Sequence, residues 1–329
     1  MRGSACASAH WQAQRWWIVA AAALALAALV CGQASVNIHP MAGLALGVLQ
    51  PIIVAAVAAV LLALTADGWR GFSRLRVWAH LVSGAWLSIP LSFLIEVIAV
   101  GAIGLAVLIA LAILMPDPLI EFTRRYQSLE DLDMTLILGW ALQPWAIALA
   151  LIVAALIVPM IEELMKPIGV AIVARRRPSP MAAYLGGVMG GLGFAFTETL
   201  GNLINITDPW IVLIVARMGT MAMHGFTSGL VGWGWGQLAA KRPWRLVGAY
   251  AGAVALHGLW NSAVVIVVFS GLYFQQTPNP DPAAAILIGS AAAVCALLLL
   301  LLVPTCVAGM AWVGYRLRTT DRRSPIADH

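Results

Sequence analysis

The fold class follows from long uncharged runs such as AAAILIGSAAAVCALLLLLLVPTCVAGMAWVGY, residues 283–315, which is followed directly by Arg316 and Arg318. A helix needs about 20 apolar residues to cross the hydrocarbon core of a bilayer. This run is long enough, and basic residues beyond its end are typical of the cytoplasmic side of a membrane. The stretch therefore predicts a membrane-spanning helix.

The rest of the chain has the same character. Of its 329 residues, 62% are hydrophobic and 10% are charged, whereas soluble domains carry about 25% charged residues. This composition excludes an ordinary soluble enzyme, and it excludes a disordered chain, which combines low hydrophobicity with high charge. The formal net charge of +5 does not indicate nucleic-acid binding, because the basic residues lie in short strips between apolar runs. We therefore expect the lipid bilayer as a partner and no nucleic acid.

Eight apolar runs are candidate spans, and the loops between them alternate between rich and poor in Lys and Arg. The runs cover about 16–33, 42–65, 85–115, 141–174, 181–204, 209–238, 246–272 and 283–315. Because basic loops stay in the cytoplasm, the alternation places both termini there. We interpret residues 80–115, which Pro90 interrupts, as one span with an interfacial lead-in.

The predicted fold is thus an all-α, polytopic membrane helix bundle of about eight transmembrane helices in the cell membrane. It divides into four segments by sequence. Residues 1–115 hold about three N-terminal spans, 116–139 form an external loop, 140–272 form a four-span core, and 273–329 hold the last span and a basic cytoplasmic tail.

Ionisable residues inside the apolar runs are the candidates for function. Inserting one at the centre of a span costs about 2.5–3.5 kcal/mol, so such residues are rarely placed there without a role. The group consists of Glu96, Glu162, Glu163, Lys166, Glu198, Arg217, His224 and His257, with Asn261 as a polar partner. Most of them lie in the 140–272 core. For Glu96, which belongs to no motif, we expect a structural or interfacial role.

Four of these residues fall at a similar depth. Counting from the basic residue at each cytoplasmic boundary, Glu162, Glu198, His224 and His257 lie about 18 to 27 Å from the inner edge at 1.5 Å per residue. The hydrocarbon core is about 30 Å thick. Four successive spans therefore place polar groups in one band, which predicts that these groups meet.

Carboxylates, imidazoles and an amide at one place suit hydrolysis. A buried carboxylate or a His–carboxylate pair can deprotonate water, and the His257–Asn261 face can donate to an oxyanion. Alternatively, Glu163, His224 and His257 ligate Zn²⁺, which supplies the hydroxide. The pattern leaves both alternatives open. Lys166 can neutralise Glu162 or Glu163 from one helical turn away, and we expect Arg217 to pair with Glu198 or another carboxylate.

Four motifs resemble those of the PrsW family of intramembrane proteases and its wider superfamily of CAAX prenyl endopeptidases and bacteriocin-processing proteins. They are E-E-x-x-K at Glu162–Lys166, F-x-x-x-E at Phe194–Glu198, Arg217 with His224, and H-x-x-x-N at His257–Asn261. They occur in the family's order over about 159–262. Glu198 stands where the prenyl endopeptidases carry His, which favours the PrsW branch.

The resemblance implies a multi-pass peptidase, either a metalloprotease or a glutamate-type enzyme, that cleaves a membrane-anchored protein such as a single-span anti-sigma factor. It implies that Glu162 or Glu163 acts with Glu198 as the base and that His257 and Asn261 stabilise the intermediate. His224 is then a second base or a metal ligand, with Lys166 and Arg217 in support. Two other functions remain open: a proton-coupled transporter, and a catalytically inactive immunity or scaffold relative.

Overall fold

The computed structural model describes residues 42–66, 73–114, 134–203 and 210–321, together with Ile120 and most of 20–31. All regular secondary structure in these ranges is helical. The helices are α1 (Ala42–Ala66), α2 (Arg74–Val82), α3 (Ile89–Leu114), α4 (Met134–Ala141), α5 (Pro144–Ile152), α6 (Val158–Met165), α7 (Ile168–Val173), α8 (Pro180–Leu203), α9 (Trp210–Ala239), α10 (Pro243–Gln276) and α11 (Pro282–Asp321). The all-α prediction is confirmed.

Short segments of other helix types join some of these helices. A π-helical segment, Ser83–Ser88, links α2 to α3, and a second one, Val153–Ile157, links α5 to α6. A 3₁₀ turn, Ala174–Arg176, ends α7. Residues 74–114 therefore form one unbroken helical run, in agreement with a single span there preceded by a lead-in.

Helix starts follow from proline and from capping side chains. Proline is the first residue of α5, α8, α10 and α11, where its missing N–H leaves no intrahelical bond unmade. Asp281 caps α11, because its Oδ2 accepts the backbone N–H groups of Ala283 and Ala284 at 3.0 Å each. Ser179 caps α8 in the same way through the N–H of Ala182.

Four helices in the described ranges are long and apolar enough to cross a membrane. They are Leu75–Leu114, Pro144–Met165, Pro243–Gln276 and Pro282–Thr320. A shorter apolar helix covers Leu49–Thr65. Helices α8 and α9 match two further predicted spans in position, whereas about half of the predicted first span, 16–33, and most of the 116–139 loop lie outside the described residues. The chain is thus a multi-pass membrane protein, and eight spans with cytoplasmic termini remain a prediction.

The chain divides into two compact units. The first comprises the described residues of Met1–Pro90, Glu163–Leu256 and Leu302–His329, and the second comprises those of Leu91–Glu162 and His257–Leu301. The first unit is built around α8, in which every residue from Ala183 to Ala195 is buried. Helices α1, α2 and α9 pack against it. A helix enclosed in this way can hold polar side chains away from both lipid and water.

Candidate active site

Helix α6 carries the first motif between two prolines. Pro159 lies at its start, and Pro167 follows the turn that ends it. Glu162 and Glu163 are 7% and 0% exposed. Because successive residues of a helix are about 100° apart on a 3.6-residue turn, the two carboxylates have different partners. Glu163 belongs to the first unit and Glu162 to the second.

Lys166 joins Glu163 to His224 in the first unit. Its Nζ donates to Oε1 of Glu163 at 2.8 Å and lies 2.7 Å from Nδ1 of His224. Both members of the ion pair are completely buried. As an ammonium, Lys166 can only donate, so Nδ1 of His224 accepts. The ring proton of a neutral His224 is therefore on Nε2.

The other ring nitrogen of His224 faces Glu198. Nε2 of His224 lies 3.1 Å from Oε2 of Glu198, and the same carboxylate oxygen forms an ion pair with Nη2 of Arg217 at 2.6 Å. Arg217 reaches Thr199 as well, with its Nε 3.3 Å from Oγ1. The Glu198 side chain is 27% exposed, so this end of the arrangement is the more open one. The expected pairing of Arg217 with Glu198 is confirmed.

These contacts form one row, which we call the ion row: Glu163, Lys166, His224, Glu198 and Arg217. With His224 neutral, it contains two carboxylates and two cations, so its charges balance. Balance matters because an uncompensated charge in a low-dielectric interior costs several kcal/mol.

Phe194 supports the buried part of the ion row. Its ring centroid lies 4.8 Å from Nζ of Lys166, a distance at which the ring face attracts a cation. The same ring meets His224 edge-on, at 5.7 Å between centroids and 74° between planes. Phe194 thus restrains Lys166 and His224 together, a role that the F-x-x-x-E spacing alone does not predict.

Two glycines of α8 let the backbones that carry the ion row come close. A Cβ at Gly190 would lie 2.5 Å from the carbonyl oxygen of Lys166, and a Cβ at Gly191 would collide with the carbonyl oxygen of His224. Small residues permit such close approach of membrane helices. The glycines of α8 therefore have a packing role at these positions.

In the second unit, Glu162 faces His257. Nε2 of His257 lies 3.8 Å from Oε2 of Glu162, and His257 is 2% exposed. Glu162 lies on α6 and His257 lies on α10, where Gly258 allows a close approach to the carbonyl oxygen of Ala155. A buried carboxylate–imidazole pair of this kind can bind and deprotonate a water molecule.

The side chain of Asn261, one turn after His257, is held by a backbone carbonyl that has no donor within its own helix. Its Nδ2 donates to the carbonyl oxygen of Ala154 at 2.7 Å. The N–H of Val158 bonds to Val153, and the next residue, Pro159, has no N–H. The carbonyl of Ala154 therefore needs another donor, and Asn261 supplies it. One N–H and the carbonyl oxygen of the Asn261 amide are left for other partners.

The structure thus joins the sequence-predicted residues in two sets. The ion row holds Glu163, Lys166, His224, Glu198 and Arg217, and the second unit holds Glu162, His257 and Asn261. Glu96 belongs to neither set and is half-buried. The sequence did not indicate Thr199 or the carbonyl of Ala154 as partners.

Comparison with known families decides the class of protein. A profile described as PrsW family intramembrane metalloprotease matches residues 75–302. The match covers well over half of the chain and includes both sets of site residues.

The chain belongs to the PrsW family of intramembrane metalloproteases. Searches of curated proteins and of solved structures gave no significant match.

The family name implies a metal, and the donor types of the second unit fit one. A carboxylate oxygen and an imidazole nitrogen are zinc ligands, each bound at about 2.0–2.2 Å. Two ligands at that distance in tetrahedral geometry lie somewhat over 3 Å apart, slightly less than the 3.8 Å between Glu162 and His257. A small side-chain rotation brings them to that spacing. In the ion row, by contrast, both nitrogens of His224 already have partners.

Proposed function

We propose that this PrsW-family chain hydrolyses a peptide bond of a membrane-anchored protein and that Glu162, Glu163, Glu198, His224, His257 and Asn261 carry the chemistry. The observation that supports this most directly is the buried pair of Glu162 and His257, 3.8 Å apart. Because Glu162 and Glu163 are adjacent in one helix, the chain itself connects the Glu162–His257 pair to the ion row.

In the proposed reaction, Glu162 accepts a proton from water, and the resulting hydroxide attacks the carbonyl carbon of the scissile bond. His257 and the remaining amide N–H of Asn261 donate to the oxyanion that forms, which is where fixed donors contribute most. When the C–N bond breaks, Glu162 returns the proton to the amine nitrogen. The products are a new carboxyl terminus and a new amino terminus.

The ion row has a supporting role in this proposal. Lys166 forms a buried ion pair with Glu163, the neighbour of Glu162 in the sequence, and the Lys166–His224–Glu198 contacts hold His224 in one tautomer and orientation. To act as a second base, His224 would have to release Lys166 from Nδ1, because both of its ring nitrogens have partners in this arrangement. Arg217 keeps Glu198 in place.

A metal, with zinc as the candidate, would be held in the second unit by Glu162 and His257. It would supply Lewis-acid polarisation of water and of the scissile carbonyl. Metal analysis of the purified protein tests this without an activity assay: a bound metal that is lost in His257→Ala supports the metalloprotease form. A metal-free protein that remains active in a chelator supports the glutamate form.

The substrate that the family resemblance suggests is a single-span anti-sigma factor in the cell membrane. The test is quantitative membrane proteomics of strains that carry wild type, Glu163→Ala or His257→Ala, with Gly201→Ala as the control. We expect one single-span protein to accumulate intact in both site variants and to be cut in the wild type and in the control. Unchanged cleavage in both site variants, at normal protein levels, contradicts the proposal.

A further inference from the structure

The helical run that ends at Leu114 buries polar residues and exposes apolar ones. Ser88 and Ser92 are 0% and 2% exposed, whereas Phe93 and Ile98 are 66% and 63% exposed. Ser92 is the one buried residue in the whole of α3. A membrane helix with its polar side inward is typical of a helix that lines a polar or hydrated interior.

Three polar residues share that inward side. Ser88, Ser92 and Glu96 are spaced four residues apart, so they lie above one another on one face, and together they extend over about 12 Å at 1.5 Å per residue. We call them the polar track. Glu96 is half-buried, so the track passes from fully buried hydroxyls to a partly accessible carboxylate.

The inner end of the polar track reaches the first motif. Oγ of Ser88 donates to the carbonyl oxygen of Met165 at 2.8 Å. Met165 immediately precedes Lys166, whose side chain binds Glu163 and His224. A molecule bound at Ser88 would therefore be next to the turn that holds the ion row.

The hydroxyl of Ser92 differs from most other hydroxyls inside the described helices. Thr65, Ser262 and Ser270 donate to the carbonyl four residues earlier, at 2.7 to 2.8 Å. Within the described part of the chain, Oγ of Ser92 makes no hydrogen bond although it is buried. Burying a hydroxyl without a partner is unfavourable, because the group loses its hydrogen bonds to water and gains none in return. Buried polar groups of this kind are the usual partners of buried water.

We propose that the polar track binds a file of water molecules that leads to the first motif at Lys166. The role of this water file, to supply water for hydrolysis, rests on the proposed function. Each peptide bond hydrolysed consumes one water molecule, and the bilayer core holds none. The binding itself does not depend on that function. Ser92 and Glu96 supply hydroxyl and carboxylate partners along the way, and Ser88 marks the inner end.

Thiol labelling in intact membranes tests the proposal, because maleimides react with the thiolate, which forms only in contact with water. The four native cysteines are first replaced by serine. Single cysteines are then placed at Ser92 and Glu96 and, as controls on the same turns, at Phe93 and Val97, which are 66% and 52% exposed to the lipid side. We expect N-ethylmaleimide to label Ser92→Cys and Glu96→Cys at least about tenfold faster than Phe93→Cys and Val97→Cys.

Equal labelling of Ser92→Cys and Phe93→Cys would overturn the proposal, because the Ser92 face would then be as dry as the lipid face. If Ser92→Cys does not accumulate, the comparison of Glu96→Cys with Val97→Cys decides in the same way. The result is separable from the proposed function. Fast labelling combined with normal cleavage by both Glu163→Ala and His257→Ala would retain the water file and remove the protease mechanism. Equal labelling combined with loss of cleavage in both variants would remove the water file and retain the protease mechanism.

Discussion

Lys166 is the residue on which the ion row depends. Its ammonium contacts Glu163 at 2.8 Å and His224 at 2.7 Å, and it lies over the ring of Phe194. It has no exposure to solvent or lipid. A cation in this position offsets the charge of Glu163 and fixes the tautomer of His224, so that its loss affects both stability and chemistry.

Replacing Lys166 with methionine should therefore strongly lower the stability of the protein. Breaking a buried ion pair by removing one partner costs about 3–5 kcal/mol, so we expect Lys166→Met to accumulate poorly and to unfold at a lower temperature in detergent. The double variant Glu163→Gln, Lys166→Met removes both charges and should recover most of that stability without recovering cleavage. Equal instability of the single and double variants would mean that the ion pair is not the cause.

The sequence predicted some of these contacts and could not predict others. The i, i+3 spacing of Glu163 and Lys166 permitted their pairing. The opposite charges of Arg217 and Glu198 inside the membrane led to the correct expectation that these two residues pair. The contact of Lys166 with His224 joins residues 58 positions apart, and its existence depends on how closely α8 lets the neighbouring backbones approach. Helical spacing contains no information about such a distance.

At the scale of elements, the π-helical segment before α6 links two site residues. In this segment the N–H of Val158 bonds to Val153 and Pro159 has no N–H, so the carbonyl of Ala154 has no helical donor and accepts from Asn261 at 2.7 Å. This contact gives Asn261 a structural role next to its proposed catalytic one. A double-mutant cycle can separate the two roles.

The cycle combines Asn261→Ala with Pro159→Ala. Alone, Asn261→Ala leaves a buried carbonyl without a donor and should lower stability by about 1–3 kcal/mol. In the Pro159→Ala background the restored N–H can satisfy that carbonyl, so the stability cost should fall, whereas cleavage should stay impaired if the Asn261 amide donates to the oxyanion. The same stability cost in both backgrounds, measured by thermal unfolding in detergent, would contradict this account of the contact.

Close packing of α8 against α9 is a second element-scale feature. A Cβ at Gly191 would meet the carbonyl oxygen of His224, whereas a Cβ at Gly201 would meet nothing within 4 Å. We expect Gly191→Ala to lose about 1–3 kcal/mol through overpacking and to displace His224. Gly201→Ala, the matched control, should be neutral or gain about 0.5–1 kcal/mol from its better helix propensity. Similar thermal stability of the two variants would contradict the packing.

The apolar runs predicted the positions of the helices well. The runs at 42–65, 181–204 and 209–238 correspond to α1, α8 and α9 within a residue or two, because uncharged residues between Pro, Gly and basic strips leave little choice of boundary. The π-helical segments were not predicted. They depend on how neighbouring helices satisfy individual carbonyls, and no local pattern of the sequence specifies that.

At the scale of the whole molecule, the open question is topology. The charge alternation predicts eight spans with both termini in the cytoplasm, and four spans are supported by length and apolarity within the described ranges. Helices α8 and α9 contain many glycines and polar residues, so their hydropathy alone does not mark them as spans. Their enclosure by other helices explains how polar residues are tolerated there.

Reporter fusions test the predicted topology. Alkaline phosphatase inserted in the 277–281 loop between α10 and α11 should be active, because we expect this loop on the external side. The same reporter after residue 329 should be inactive, and a fluorescent protein there should fluoresce. The reverse pattern would contradict the assigned orientation, and activity of the phosphatase at both sites would contradict the span between them.

The central claim is that Glu162 activates water to cleave a peptide bond while His257 stabilises the oxyanion. The most direct test uses purified protein in liposomes with the membrane protein found by proteomics, in water enriched in ¹⁸O, and detects the products by mass spectrometry. The wild type should yield two fragments with ¹⁸O in the new carboxyl group, and folded Glu162→Gln should yield neither fragment. Cleavage by Glu162→Gln at the wild-type rate would contradict the claim.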